Sequence, residues 1–125
     1  MRISVVIPHL NQPDALARCL ASVFVGTRPP DEVFVVDNGS AVLPEVPANV
    51  TLLQENTPGP GPARNLGVAH ATGDVLAFID ADCLADPEWL AVAATTGGDI
   101  LGGDVRIAYV DPDTLTSLEA YESIY

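Results

Sequence analysis

Residues 75 to 82 read Val-Leu-Ala-Phe-Ile-Asp-Ala-Asp, five apolar residues followed by two carboxylates separated by one alanine. A run of that length suits a strand buried on both faces, and it must stop where unpaired acids would otherwise enter the core. Upstream, Pro62 suits a first helical position, Arg64, Asn65, Leu66, Val68 and Ala69 follow it, and Gly73 sits where a left-handed cap ends a helix. Downstream, Asp86-Pro87-Glu88 supplies an N-cap, a first-turn proline and a first-turn acid. The helix they start holds Trp89 and Leu90 and is terminated by Gly97-Gly98, and a fifth strand is expected around Leu101 to Tyr109.

The N-terminal half repeats this rhythm. Ile3-Ser4-Val5-Val6-Ile7 is a β-branched run that Pro8 is expected to end, leaving a loop from Pro8 to Gln12. Pro13 and Asp14 then open a helix whose Leu16, Cys19, Leu20, Val23 and Phe24 recur at three- and four-residue steps. A second strand spans Glu32 to Val36, with turn chemistry in Asp37-Asn38-Gly39-Ser40, and a shorter third strand covers Val50 to Gln54. The segment Thr57-Pro58-Gly59-Pro60-Gly61-Pro62 is a loop, because alternating Pro and Gly removes donors and adds backbone freedom. Alternating strands and helices predict an α/β domain with a mostly parallel sheet and flanking helices, its ligands held at the C-terminal strand ends. Pro8, Asp37 and Asp80 all occupy such ends. Thr116-Ser117-Leu118-Glu119 has a capping-box pattern, and the helix it starts meets no stop signal before Tyr125, so the chain reads as cut short at its C-terminus.

At 125 residues and 48% hydrophobic content the chain has the size and material for one domain. Seventeen acidic residues against five basic ones give a net charge of -12, which excludes nucleic acid and anionic membrane surfaces as natural partners. An anionic small molecule stays compatible if a divalent cation offsets the repulsion. Cys19 and Cys83 form no zinc-ligand spacing and are too few for a disulfide scaffold, which fits a reducing cytoplasm. No apolar stretch approaches the ~20 residues that span a bilayer.

Several of these positions carry possible chemistry. Asp80 and Asp82 can present carboxylate oxygens to Mg2+ or Mn2+, which in turn can hold a diphosphate; the same triplet also serves as an ordinary turn. Asp37 and Asn38 can hydrogen-bond a pyrimidine, the Asn38 carbonyl accepting from a ring N-H, or can simply cap their turn. Gly59 and Gly61 can let backbone approach a phosphate, although neither a dinucleotide fingerprint nor a Walker A loop matches. Arg64 suits either a phosphate or a structural ion pair. His9, a loop histidine with no evident partner, is expected in solvent and receives no catalytic assignment. His70 complements a helix C-terminus, Trp89 anchors its helix to the core, and Cys83 is an ordinary loop thiol.

In order and spacing, four motifs resemble the family-2 glycosyltransferases. They are Ser4-Val5-Val6-Ile7-Pro8 with Asn11, Val35-Val36-Asp37-Asn38-Gly39-Ser40, Gly61 with Ala63-Arg64-Asn65-Leu66-Gly67, and Phe78-Ile79-Asp80-Ala81-Asp82. The resemblance extends from the first strand to Gly102-Gly103. It implies a GT-A, Rossmann-like fold and inverting transfer of a sugar from a nucleotide diphosphate to an acceptor hydroxyl. It also implies that Pro8, His9 and Leu10 lie against the nucleobase, that Asp37 and Asn38 pair with it, and that Arg64 and Ala81 belong to the donor site. Asp80 resembles the ribose- and metal-proximal acid, and Asp82 the direct metal ligand. Many members carry a second aspartate where Asn38 stands, so UDP and dTDP sugars are both compatible. The family's catalytic base lies well beyond the metal triplet and is expected past Tyr125, since Glu119 and Glu122 match no motif. A non-catalytic nucleotide-sugar-binding module is the competing reading. An aspartyl-nucleophile phosphotransferase of the haloacid-dehalogenase type is disfavoured by Leu84, where Thr or Val is expected.

Overall fold

The structure, a computed structural model, describes residues 2–96 and 100–102. Its elements run β1 (Ile3–His9), α1 (Pro13–Phe24), β2 (Glu32–Asp37), β3 (Thr51–Gln54), α2 (Pro60–His70), β4 (Val75–Phe78), α3 (Trp89–Thr96) and β5 (Ile100–Gly102). The strands form one sheet in the order β3-β2-β1-β4-β5, and every pairing is parallel. The expected stop at Gly97-Gly98, the fifth strand beyond Gly102 and the capping box at Thr116 fall outside the described residues.

Both faces of the sheet are covered at β1, β2 and β4, which explains why these strands are largely apolar without alternation. Ile3, Val5, Ile7, Val33 and Val35 pack on one side with Leu16, Cys19, Leu20 and Val23 of α1 and with Trp89, Leu90 and Ala93 of α3. Val6, Phe34, Val36 and Phe78 meet Ala63 and Leu66 of α2 on the other. Gly67 lets α2 lie close on the sheet, since a Cβ there would overlap the side chain of Val6.

Several boundaries differ from expectation: α3 begins at Trp89, with Pro87 and Glu88 in the turn before it instead of in its first turn, and β2 runs on to Asp37. Pro8 does not end β1; the strand continues through His9, with Pro8 opposite Val36 and His9 opposite Asp37. Residues of a parallel strand address alternate neighbours, and Val6 faces β4 by accepting the Ile79 amide at 3.3 Å, while His9 faces β2 by accepting the Asn38 amide at 2.9 Å. The missing Pro8 N–H therefore lies on the β4 side, where that strand has already finished. Helix α2 begins at Pro60 instead of Pro62, because the first-turn amides of a helix lack intrahelical partners and so both prolines are accommodated. Gly73 is not its cap, for the helix closes at Ala71. Gly73 instead permits close passage past β1: a Cβ there would stand 2.8 Å from the Ser4 nitrogen and 2.9 Å from the Arg2 carbonyl oxygen.

Candidate functional site

β1 is the strand from which the chain departs in both directions, to β2 and β3 on one side and to β4 and β5 on the other. Such a switch point leaves a crevice beyond the strand ends. Here it is a cavity of about 340 Å³, within the range of small-molecule sites. Pro8, His9, Leu10 and Gln12 contribute one wall, Asn38 with Pro58, Gly59 and Pro60 a second, and Asp80, Ala81 and Asp82 a third. Of the residues singled out from sequence, Asp37 and Arg64 each reach the cavity through a lining residue.

Asp37 is buried, and its carboxylate is saturated by donors. Oδ1 accepts from His9 Nδ1 at 2.8 Å and Ser40 Oγ at 2.6 Å, and Oδ2 accepts the amides of Gly39 at 3.2 Å and Ser40 at 2.9 Å. Burial alone would raise this carboxyl, but the bonds from Ser40 and His9 and from the two amides outweigh it and hold it below the ordinary aspartate value. Asn38 is equally engaged. Its Oδ1, expected to read a base, accepts the Gly59 amide at 2.7 Å, and its Nδ2 donates to the carbonyls of Glu55 at 3.0 Å and Thr57 at 2.8 Å. The side chain thus pins the β3–α2 loop, where Gly59 takes a φ of 114° that favours glycine. For both residues these bonds organise the turns around the cavity.

The solvated histidine expected at position 9 is corrected outright. His9 has no exposed side-chain surface, since β1 extends to carry it between Asp37 and the start of α1. Nothing in the sequence marks Gln12, Pro58 or Pro60 as lining residues; the signal for their loop is carried by Gly59 and Gly61, whose backbone can approach a ligand.

At the end of β4, the Cys83 amide donates to the Asp80 carbonyl at 3.0 Å, closing a turn that buries Ala81 and exposes Asp82. Arg64 Nη2 lies 3.4 Å from Asp80 Oδ1, so the sequence alternative of an ion pair is realised on this carboxylate. Asp80, Asp82 and Cys83 offer ligand atoms within 4.8 Å of one another. The Cys83 thiol donates to Asp82 Oδ1 at 3.4 Å. Burial, with the neighbouring Cys83 and the two acids, pushes the Cys19 thiol far up, so it stays a neutral core group.

The model for glycosyl transferase family 2 matches residues 4–96, most of the chain and every cavity-lining residue. The chain belongs to that family. Glycosyltransferase AglE of Haloferax volcanii is 34% identical over 97% of this chain and 44% of its own length. A poly(ribitol-phosphate) beta-glucosyltransferase of Bacillus spizizenii is 33% identical over 85% of this chain and 19% of its own length. TarS of S. aureus, solved in complex with UDP-GlcNAc, superposes with a TM-score of 0.64 at 29% identity, covering 75% of this chain and 30% of that one. Glucosyl-3-phosphoglycerate synthase of Mycobacterium tuberculosis, solved with Mn2+, UDP and glucosyl-3-phosphoglycerate, gives 0.61 at 27% identity over 72% of this chain and 37% of that one. The sheet and its helices are thus those of the GT-A enzymes, and the chain spans less than half of each of these relatives.

For the cation found with the mycobacterial enzyme, the donor chemistry here fits. Two carboxylates offer hard oxygen ligands, with Asp82 exposed and the Asp80 side chain 29% exposed, which suits Mg2+ or Mn2+. The Cys83 thiol, which donates to Asp82, braces that carboxylate beside them. No helix among the described residues is long and apolar enough to cross a membrane.

Proposed function

We propose that this cavity binds a nucleotide diphosphate sugar, of the UDP or dTDP type, for inverting transfer of its sugar to an acceptor hydroxyl. One observation carries the reading: the carboxylates of Asp80 and Asp82 close the same cavity whose other walls are the β1 end and the Gly59 loop. An acidic wall in a chain of net charge -12 repels a diphosphate, so the pairing of these acids with that ligand requires a cation between them. Bound Mg2+ or Mn2+ would neutralise the diphosphate and help it leave with the electrons of the broken anomeric C–O bond.

The chain's own residues divide the remaining work. Asp82 is the direct ligand. Asp80 lies nearer the ribose, and Arg64 holds one of its oxygens in position. Pro8, His9 and Leu10 form the nucleobase wall, while Asp37 and Asn38 act by fixing the loops around the base. Asn38 Oδ1 retains a second lone pair beside the Gly59 bond, which suits a ring N–H. Neither carboxylate on the cavity wall suits the general base, since both serve the donor side. His9 does not suit it either, as both its ring nitrogens are engaged.

A thermal-shift panel tests the reading. UDP or dTDP with Mn2+ is expected to raise the melting temperature, because a ligand bound only by the native state stabilises it by mass action. ADP and GDP at equal concentration are expected to do so less. Equal shifts for all four nucleotides, or none, would refute a pyrimidine diphosphate site.

A further inference from the structure

The ligand-facing loop between β1 and α1 is only three residues long, Leu10-Asn11-Gln12, and two of them line the cavity. Two hydrogen-bonded arms from Asp37 hold it. In one, Ser40 Oγ donates to Asp37 and accepts the Asn11 amide at 2.8 Å, keeping Asn11 at a left-handed φ of 52°. In the other, His9 Nδ1 lies 2.8 Å from Asp37 Oδ1 and His9 Nε2 lies 3.0 Å from the Gln12 nitrogen. A backbone amide can only donate, so Nε2 presents its lone pair to Gln12 and the ring proton sits on Nδ1, donated to Asp37. Pro13 has no N–H, which makes the Gln12 amide the last donor by which the loop can be tied before the helix.

We infer that His9 is a positioning residue for the nucleotide, a buried strut whose neutral Nδ1–H imidazole sets Leu10 and Gln12 against the ligand by bridging Asp37 to the Gln12 amide. The charged groups around it are Asp37 on β2 and, across the cavity in the turn that follows β4, Asp80 and Asp82. This inference rests on the reading of the cavity as a nucleotide site.

Two amide substitutions separate the two ends of the strut. Asparagine places its polar atoms near the position of Nδ1, and glutamine places its own near that of Nε2. His9→Asn therefore keeps a donor for Asp37 and leaves the Gln12 amide without its acceptor, whereas His9→Gln restores that acceptor. Calorimetric titration with UDP in the presence of Mn2+ is expected to show His9→Asn weakened about 10-fold or more, the effect of one buried hydrogen bond lost with its donor left unpaired. His9→Gln is expected to recover most of the wild-type affinity although its urea midpoint falls as well. Affinities that track the urea midpoints of the two variants, or a His9→Asn variant that binds as wild type does, would overturn the positioning role. Nitrogen chemical shifts of the wild-type ring are expected to report neutral Nδ1–H, and an Nε2–H tautomer would overturn it too. Wild-type protein that binds neither UDP nor dTDP would instead refute the cavity's assignment, and the inference with it.

Discussion

Asp37→Asn changes one atom and disturbs the centre of the loop network. The wild-type carboxylate accepts two bonds on each oxygen, from His9 and Ser40 Oγ on one and from the Gly39 and Ser40 amides on the other. An asparagine must point its NH2 at one of these pairs; toward the Gly39 and Ser40 amides it sets two donors against donors, and toward the other pair it still meets His9 Nδ1–H, although Ser40 Oγ can rotate to accept. Bonds to a buried charged acceptor contribute about 1.5–3 kcal/mol each, so the one bond that no rotation restores sets the loss at about 1.5–3 kcal/mol or more. That is a large fraction of the ~5–15 kcal/mol that holds a domain together. The assay is urea unfolding of both proteins across pH. The folded-state carboxyl lies below its ordinary value, so its stabilisation is complete above about pH 4 and is lost as pH falls through that lower value. Asparagine does not titrate. The gap between the two proteins is therefore widest at neutral pH and closes in acid. A neutral-pH difference under about 1 kcal/mol, beneath what even one such bond contributes, or a gap constant with pH, would refute the claim that this carboxylate organises the site.

Other predictions follow from the same geometry. Gly67→Ala drives a methyl group into Val6 and is expected to cost about 1–3 kcal/mol in urea unfolding; a neutral outcome would mean that α2 does not rest on β1 as described. Asp31 is held low chiefly by the Ile3 amide and Arg28, and Glu32 is held low by hydrogen bonds from Ser4, Thr72 and Arg2 that outweigh its burial. Wild-type stability should accordingly be level above about pH 5 and decline below about pH 4, and thermal melts showing a decline beginning near neutrality would contradict this. Asn38→Ala removes three hydrogen bonds from the β3–α2 loop, and its expected signature is faster amide exchange at Gly59 with little change in β1.

Strands β1 and β2 were legible because burial on both faces writes itself as runs rich in Val and Ile, and the acids at 80 and 82 marked the end of another. Pro8 was misleading for a geometric reason. Its missing donor matters only on the side it faces, and sequence does not say that β4 stops short of it. Gly73 looked like a helix cap because a close backbone passage and a cap both ask for glycine. Within the site, the residues that touch the cavity were largely visible, whereas the division of labour among them was not. Because Gln12 meets the ring through a backbone amide, no side chain near His9 along the sequence marks itself as its partner. Its partner Asp37 lies 28 residues away and meets it only through the parallel register of β1 and β2. Asp37 and Asn38 carried the right chemistry for a base and for a turn at once, and only the positions of Ser40, Gly59 and the loop carbonyls decide how those atoms are used.

The central claim is that Asp80 and Asp82 hold a nucleotide diphosphate through a divalent cation. It is tested most directly by calorimetric titration of UDP into the wild-type protein with Mn2+, with a chelator, and into Asp82→Ala with Mn2+. The account predicts binding in the first titration and a loss of at least about 10-fold in the other two, as expected when a diphosphate faces acids without its counter-charge. Equal affinity in all three would contradict it.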